Sequence, residues 1–343
     1  MNLLMLKTQL RNKKVAMIKI KPIWDSNSDE AIRIWKLFDQ MIEQIKLREK
    51  LKKHCDEIQN TSEALYNFLF DDQEVRDVNL NKLLKTRTDY STLNQEGLIF
   101  VLNEGKTWRN LKKIFDYTAF SGLADFSKLV QMMGVSTCPY CNRAFTSTVE
   151  KEDGKIRRHN QVDHYMSQDY YPYLALTLPN MVPVCADCNH KKGSIKKHIL
   201  YPYKEGFDDK YHFVTHPVSG CGYLIGETDS EADFCVSIEK IPGAVCDKDY
   251  CNRIDNAREL LDLDELYSTH NKYVLRIFEQ HYVFGEAYIE DLIESFPEYF
   301  KSKEDVKKML YMKSIHPDDF IHNPLSRLTF DIDNEISRLT SKK

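Results

Sequence analysis

The sequence predicts an α+β protein that is mainly helical, with a small zinc-binding region between two helical regions. Two Cys-x-x-Cys pairs near the middle of the chain bracket segments of strand composition. On both outer sides, apolar residues recur at helical spacing. The chain accordingly divides into a mostly helical region (1–133), a central region with the zinc site (134–200), a loop-rich connection with a short strand (201–255) and a C-terminal helical region (256–343).

Length and composition are those of an ordinary globular protein. The chain has 343 residues, 42% of them hydrophobic and 29% charged. This length is enough for two or three domains, or for one core with large helical extensions. It lacks an apolar run long enough for a membrane span, and its apolar start is too short for a signal peptide. Because Met17 opens a segment of strand composition, Met1 and Met17 are both candidate first residues. The odd number of cysteines and their paired spacing favour zinc in a reducing cytoplasm over disulfides in a secreted protein.

The N-terminal region begins with strand composition at 15–24, a pattern that ends at Pro22. From Asp29 onward apolar residues recur every three or four positions, which predicts a helix with Ser28 as its cap. Further helices are predicted at 62–70, 91–104 and 107–133, the last of them interrupted near Gly122.

The central region is predicted to form two strands and a helix. Ala144–Val149 has strand composition and Glu152–Lys155 has the composition of a hairpin turn, so Gln161–Tyr165 is the expected second strand. The polar segment Cys185–His198 follows, with helix-forming residues after Gly193. We therefore expect a short helix to close the region.

Four cysteines in this region have the spacing of a zinc site. They form two knuckles, Cys138–Cys141 and Cys185–Cys188. Because the two sulfurs of a knuckle point the same way, four thiolates can close a tetrahedral zinc site. Such a zinc ion would fix the relative positions of the segments that carry Asp163, His164 and nearby amides. A carboxylate, an imidazole and amides together suit a metal-assisted hydrolase. A structural zinc ribbon used only for binding is the alternative.

The remainder of the chain shows structure but no recognisable chemistry. Phe234–Glu239 alternates between apolar and polar residues and predicts a half-buried strand, whereas 256–312 has helical periodicity. The cysteines outside the knuckles are expected to be buried or free thiols: Cys55, Cys221, Cys235, Cys246 and Cys251.

Charge points to local rather than overall affinity for polyanions. The net charge is −4, yet basic residues outnumber acidic ones between Lys151 and Leu200. This local excess is compatible with contact to phosphate at one place on the surface. A solvated face without a ligand explains it equally well.

The central region resembles the HNH endonuclease family with a four-cysteine zinc centre. The resemblance covers about 60 residues and implies a ββα-metal finger. The residues that carry it occur in the family's order: Cys138, Cys141, Asp163, His164, Asn180, Cys185, Cys188, Asn189, Lys192 and Gly193.

The resemblance implies a role for each residue of the motif. His164 resembles the general base that takes a proton from water, and Asp163 resembles a ligand of the catalytic cation. Asn180 resembles the residue that staples the loop and orients the histidine. Asn189 stands where many members have histidine, and the resemblance implies that it is a second metal ligand, with His190 as the alternative.

The implied cofactors are a structural zinc ion and a catalytic divalent cation. One carboxylate and one amide oxygen leave most positions of a hard cation open to water and phosphate, which favours Mg²⁺ or Mn²⁺. Lys191 and Lys192 are expected to lie where a nucleic-acid groove runs and to contact phosphates.

A weaker resemblance concerns partners. Tyr170–Leu176, Asn189–Gly193 and Leu263–His270 look like segments of bacterial HNH proteins that act beside an ATPase in anti-phage defence, of which the Septu-type nuclease subunit is an example. This implies an ATPase partner that docks on the helical flanks. A zinc-stabilised nucleic-acid-binding or scaffold protein without catalysis remains an alternative, as does RNA instead of DNA as the substrate.

Overall fold

The computed structural model describes residues 18–71, 74–100, 106–194, 197–207, 210–227 and 230–340. The chain is an α+β protein, mainly helical, and the strands of its described part form small antiparallel two-stranded sheets, which confirms the predicted class. Met1, Met17 and the end of the helix predicted at 91–104 lie outside the described residues. Within the described residues, we find no helix both long and apolar enough to cross a membrane.

The chain forms two compact units. The N-terminal unit contains Lys21–Val135 and Thr146–Lys196, whereas the C-terminal unit contains the segment ending at Ile20, Ser136–Phe145 and Lys197–Lys343. This division differs from the four predicted consecutive regions. The segment 136–145 belongs to the C-terminal unit because its backbone is hydrogen-bonded there, for example from Leu325 N–H to the carbonyl of Asn142 at 2.6 Å.

The helices of the N-terminal unit begin where the sequence supplies caps. The Ser28 hydroxyl accepts a hydrogen bond from Ala31 N–H at 3.1 Å and starts the first α-helix, whose apolar face is buried. The α-helices are Asp29–Gln44, Leu47–Lys53, Cys55–Thr61, Glu63–Leu69, Asp77–Lys85, Tyr90–Gln95, Lys106–Ile114, Tyr117–Ser121, Phe126–Met132 and Ala186–Lys192, with 3-10 turns at Ile23–Asp25, Pro172–Leu174 and Leu178–Asn180.

The strands of the N-terminal unit pair differently from the prediction. Thr148–Glu150 pairs with Ile156–Arg158, because the turn after Glu150 is tight and its Gly154 adopts a left-handed φ of 76°. Gln161–His164 is a strand, as expected, but its partner is Met181–Val184. A further short pair joins Phe70–Asp71 to Glu74–Val75.

The C-terminal unit is built around a hairpin of two seven-residue strands, Tyr211–Pro217 and Phe234–Lys240. The second strand was predicted, but its partner was not. The region expected to be loop-rich also contains the start of a helix, because the Asp247 side chain caps Tyr250 N–H at 2.7 Å. The α-helices are Lys248–Leu260, Leu263–Ser268, Asn271–Val283, Glu286–Ser295, Lys303–Leu310 and Ser326–Thr340, with 3-10 turns at Gly222–Ile225 and Pro317–His322.

Two further expectations are wrong. The described part of the predicted strand 15–24 is not a strand: Ile20 N–H donates to the Pro202 carbonyl at 2.7 Å, but Pro22 has no N–H to extend a ladder. Cys246 and Cys251, expected as thiols, form a disulfide in the structure. The turn before the helix at Lys248 brings their Cα atoms to 6.6 Å, within bonding range.

Candidate metal centre and catalytic site

The first cysteine knuckle is a loop fixed by one asparagine. Asn142 follows Cys141 with a left-handed φ of 43°, a conformation that asparagine tolerates better than most residues. Its buried side chain donates to the Phe320 carbonyl at 3.0 Å and accepts from Arg327 N–H at 3.0 Å. The Tyr267 hydroxyl donates to the Cys141 carbonyl. The knuckle is thus held by the surrounding polypeptide as well as by any metal.

The second knuckle is the start of a helix. Cys185 is the N-cap residue of Ala186–Lys192, which we call the site helix, and its carbonyl accepts from Asn189 N–H at 3.1 Å. Cys188 lies one turn into the helix. Gly193, with φ 48°, ends the helix there, so the predicted extension past Gly193 is wrong and Lys192 lies in the last turn.

The four cysteine sulfurs come together as predicted. Cys138, Cys141, Cys185 and Cys188 are all buried, and their Sγ atoms lie within 4.8 Å of one another. This spacing fits four thiolates around one metal ion such as zinc. Arg143 N–H points at Cys141 Sγ at 3.4 Å, and such donors stabilise a thiolate that ligates a metal. The donor set and its burial therefore suit a structural metal centre.

His164 is buried at the end of its strand, and its ring is oriented by a backbone carbonyl. Nε2 lies 2.9 Å from the Ala175 oxygen, which can only accept, so Nε2 carries the proton and the neutral ring has its lone pair on Nδ1. The Tyr117 ring contacts the imidazole edge-on, with centroids 4.4 Å apart. Burial lowers the pKa of His164 below its ordinary value of 6.5, opposed by the hydrogen bond to Ala175 and the charge of Asp163.

Asp163 and Lys192 form an enclosed ion pair. The Lys192 ammonium lies 3.0 Å from both carboxylate oxygens and also donates to the His164 carbonyl at 2.9 Å. The two side chains are only 6% and 5% exposed. The expectation that Lys192 contacts phosphate is therefore wrong, because its charge is buried against Asp163. Lys191, the other expected phosphate contact, is exposed on the site helix.

Asn180 ties together the two ends of the segment after His164. Its fully buried side-chain amide donates to the carbonyls of Met166 and Leu174, both at 3.0 Å, and accepts from Met166 N–H at 2.7 Å. Its backbone carbonyl accepts from Tyr165 N–H at 2.9 Å. These bonds fix the loop from which Ala175 reaches His164.

Asn189 lies on the same face of the site helix as Lys192, three residues away. Its side-chain amide donates to Gln161 Oε1 at 2.6 Å, whereas Lys192 reaches Asp163. Gln161 and Asp163 are two positions apart on one strand and share a face of it. Asn189 is thereby directed to the face that carries Asp163, and His190 is exposed.

Two residues that the sequence analysis did not select lie beside this group. The Tyr117 ring contacts His164, and the Tyr117 hydroxyl interacts electrostatically with Arg158 and Asp163. Arg158, in the strand Ile156–Arg158, lies over the Phe126 ring at 4.7 Å. The local excess of basic residues included Arg158 but gave no reason to single it out, and Tyr117 lies far away in the sequence.

The comparisons with known proteins add no name to this geometry. No protein-family model, curated protein or solved structure matches the chain.

Proposed function

We propose that the protein is a metal-dependent endonuclease of the HNH type that hydrolyses phosphodiester bonds, with DNA as its substrate. The observation that carries this proposal is the arrangement around His164: an imidazole oriented by a carbonyl, beside a carboxylate, on two strands followed by a helix. The order strand, strand and helix (Gln161–His164, Met181–Val184 and the site helix) supports a ββα-metal finger.

His164 has the features of a general base. Its Nε2–H is bound to Ala175, so the neutral ring offers Nδ1 to a proton from water. Because burial lowers its pKa, the ring stays neutral at pH 7 and below its usual titration range. The ring cannot rotate freely, since the carbonyl and the Tyr117 ring hold it.

The oxygens of Asp163 and Asn189 would hold the catalytic Mg²⁺ or Mn²⁺, and the four cysteines would hold Zn²⁺. A bound divalent cation supplies charge neutralisation for the phosphate and for the leaving alkoxide. The pair with Lys192 fixes the position of Asp163, but the ammonium competes for the same oxygens. We therefore expect weak cation binding, with activity that rises with added cation.

We also propose an ATPase partner and a role in anti-phage defence. The enclosure of Asp163 and His164 supports an enzyme whose site opens only in a complex or on substrate. Large exposed apolar residues on the C-terminal helices and in the turn between two of them support a docking role, because such residues are typical of interaction surfaces: Tyr282, Val283, Tyr288 and Tyr299.

One observation favours a second function. The ammonium of Lys192 satisfies both oxygens of Asp163 inside the protein. That arrangement also suits a zinc-stabilised nucleic-acid-binding or scaffold protein in which the pair is only structural. Cleavage assays separate the two functions.

The test is the substitution His164→Ala. We expect plasmid nicking by the full chain with Mg²⁺ or Mn²⁺ to fall by about 10²–10⁴-fold, because a general base is lost, while zinc content is kept and the melting temperature falls because a buried ring is removed. Total RNA serves as the second substrate. The exposed neighbour of the site, His190→Ala, is the matched control and should keep parental activity.

The pH profile of the parental enzyme adds a second readout. Since the base must be neutral, the rate falls as pH drops through the pKa of His164, and burial places that acid limb below pH 6.5. Equal cleavage by the parental chain and His164→Ala would favour the zinc-stabilised nucleic-acid-binding or scaffold protein.

A further inference from the structure

Arg158 is a cation in an apolar setting. Its guanidinium lies over the ring of Phe126 at 4.7 Å, on the inner face of the hairpin formed by Thr148–Glu150 and Ile156–Arg158. Phe126 contacts Tyr117 edge-on at 5.9 Å between ring centroids, and Tyr117 in turn contacts His164 at 4.4 Å. A continuous row of packed side chains therefore leads from Arg158 to the candidate base.

Arg158 has no ion pair with a carboxylate among the described residues, and burial lowers the pKa of its guanidinium. It is nevertheless half-buried. By contrast, the fully buried Arg327 and the half-buried Arg253 are each bound to carboxylates, those of Asp331 and Glu205. A partly desolvated guanidinium gains most from an anionic partner, and its planar fork matches the oxygens of a phosphate.

We propose that Arg158 binds the scissile phosphodiester and that Tyr117 sets its distance from His164. The inference rests on the proposed nuclease function and supplies the phosphate contact that Lys192 cannot make. Arg158 is half-buried, whereas His164 is only 7% exposed, so a phosphate meets the guanidinium before it meets the base.

Tyr117 suits its position between Phe126 and His164 because it adds no negative charge near Arg158. Burial raises the pKa of its hydroxyl to about 12, so the group stays neutral throughout the working range of the enzyme. A neutral hydroxyl beside Arg158 can donate to a phosphate oxygen, whereas a carboxylate at this position would neutralise the guanidinium and repel the substrate.

The experiment compares three variants of the full chain: Arg158→Met, Arg158→Lys and Arg157→Met. Arg157 is the matched control, since it is the neighbouring residue but is exposed on the opposite face of the hairpin. For plasmid nicking we expect kcat/KM to fall on the order of 100-fold in Arg158→Met, about 10-fold in Arg158→Lys, which keeps the charge without the fork, and less than 3-fold in Arg157→Met.

A binding measurement provides a readout that loss of fold would not mimic. In the His164→Ala chain, we measure affinity for a 20-base-pair duplex by fluorescence anisotropy across a range of salt concentrations. Arg158→Met should reduce the slope of log affinity against log salt by about one, because one phosphate contact is lost. Zinc content and melting temperature verify that each variant is folded, and Arg158→Gln, which also removes the charge, replaces Arg158→Met if the latter unfolds.

The outcomes distinguish the two proposals. If cleavage depends on His164 but is unchanged in Arg158→Met and Arg158→Lys, with an unchanged salt slope, the phosphate contact is wrong and the nuclease proposal stands. If cleavage does not depend on His164, the nuclease proposal fails and this inference fails with it. A loss in Arg157→Met equal to that in Arg158→Met would show a diffuse charge effect and also overturn the inference.

Discussion

The two Cys-x-x-Cys knuckles have the same spacing but are held in different ways. The loop at Cys138–Cys141 ends in the left-handed residue Asn142, whose side chain is bonded to Phe320 and Arg327. The knuckle at Cys185–Cys188 instead begins the site helix. That helix carries Asn189 and Lys192 to the strand of Asp163.

The difference separates two uses of one motif. The first knuckle is held in place by polypeptide hydrogen bonds that are present whether or not a metal binds. The position of the second knuckle determines where the candidate catalytic residues on the site helix lie, because one helix turn joins Cys188 to Lys192. Loss of the metal should therefore affect the second knuckle and the site more than the first knuckle.

The largest expected effect is that of losing a cysteine ligand. Structural zinc contributes on the order of 10 kcal/mol of folding free energy in small fingers, so Cys138→Ser and Cys185→Ser should each lose the zinc that elemental analysis detects in the parental chain. In hydrogen-exchange mass spectrometry, we expect peptides covering 181–192 to lose protection in both variants, whereas peptides covering 138–145 keep part of theirs.

Chelator treatment of the parental chain is the control, since it removes metal without substitution. Equal loss of protection at both knuckles would contradict the expectation that the second knuckle depends more on the metal than the first. Absence of zinc from freshly purified parental protein would contradict the metal centre itself.

The second expected effect concerns the pair that connects the site helix to the strand. Lys192→Met leaves the Asp163 carboxylate buried without its ammonium, and breaking such a pair typically costs about 3–5 kcal/mol. Urea denaturation should show this loss, and the double variant Asp163→Asn/Lys192→Met should recover most of it, because no charge is then left buried. A loss of less than about 1 kcal/mol in Lys192→Met would mean that the pair is open to solvent.

The smallest expected effect tests the anchor of the first knuckle. Asn142→Ala removes the bonds to Phe320 and Arg327 and places alanine at a positive φ, and we expect a loss of about 3 kcal/mol in urea denaturation. Asn142→Gly, which accepts the positive φ, should recover about 1 kcal/mol of it. Similar stabilities for Asn142→Gly and Asn142→Ala would show that the backbone conformation carries no cost.

Local patterns predicted the parts of the fold that depend on few neighbouring residues. The helix at Asp29–Gln44 and its Ser28 cap follow from periodicity and one hydroxyl. The strand Phe234–Lys240 follows from alternation, and the four-cysteine group from its spacing. The pairing partner of each strand was harder to predict, because strand pairing depends on turns and long-range contacts. Gln161–His164, for example, pairs with Met181–Val184 and not with the hairpin upstream.

The candidate site shows the same division. Asp163, His164, Asn180 and Asn189 could be selected from the sequence, because the segment that carries them resembles the HNH motif. Lys192 was selected for the wrong contact, because burial against Asp163 is invisible in a basic cluster of letters.

The sequence by itself determined the helical periodicity, the two knuckles and the identity of the residues on the segment between them. Only the tertiary structure decided which charges are enclosed and which lack a partner, since solvation and ion pairing depend on groups distant in sequence. Arg158 and Tyr117 became candidates only because Phe126 and His164 pack beside them. The physical reason is that a side chain's chemistry is set by its neighbours in space, which local sequence spacing does not specify.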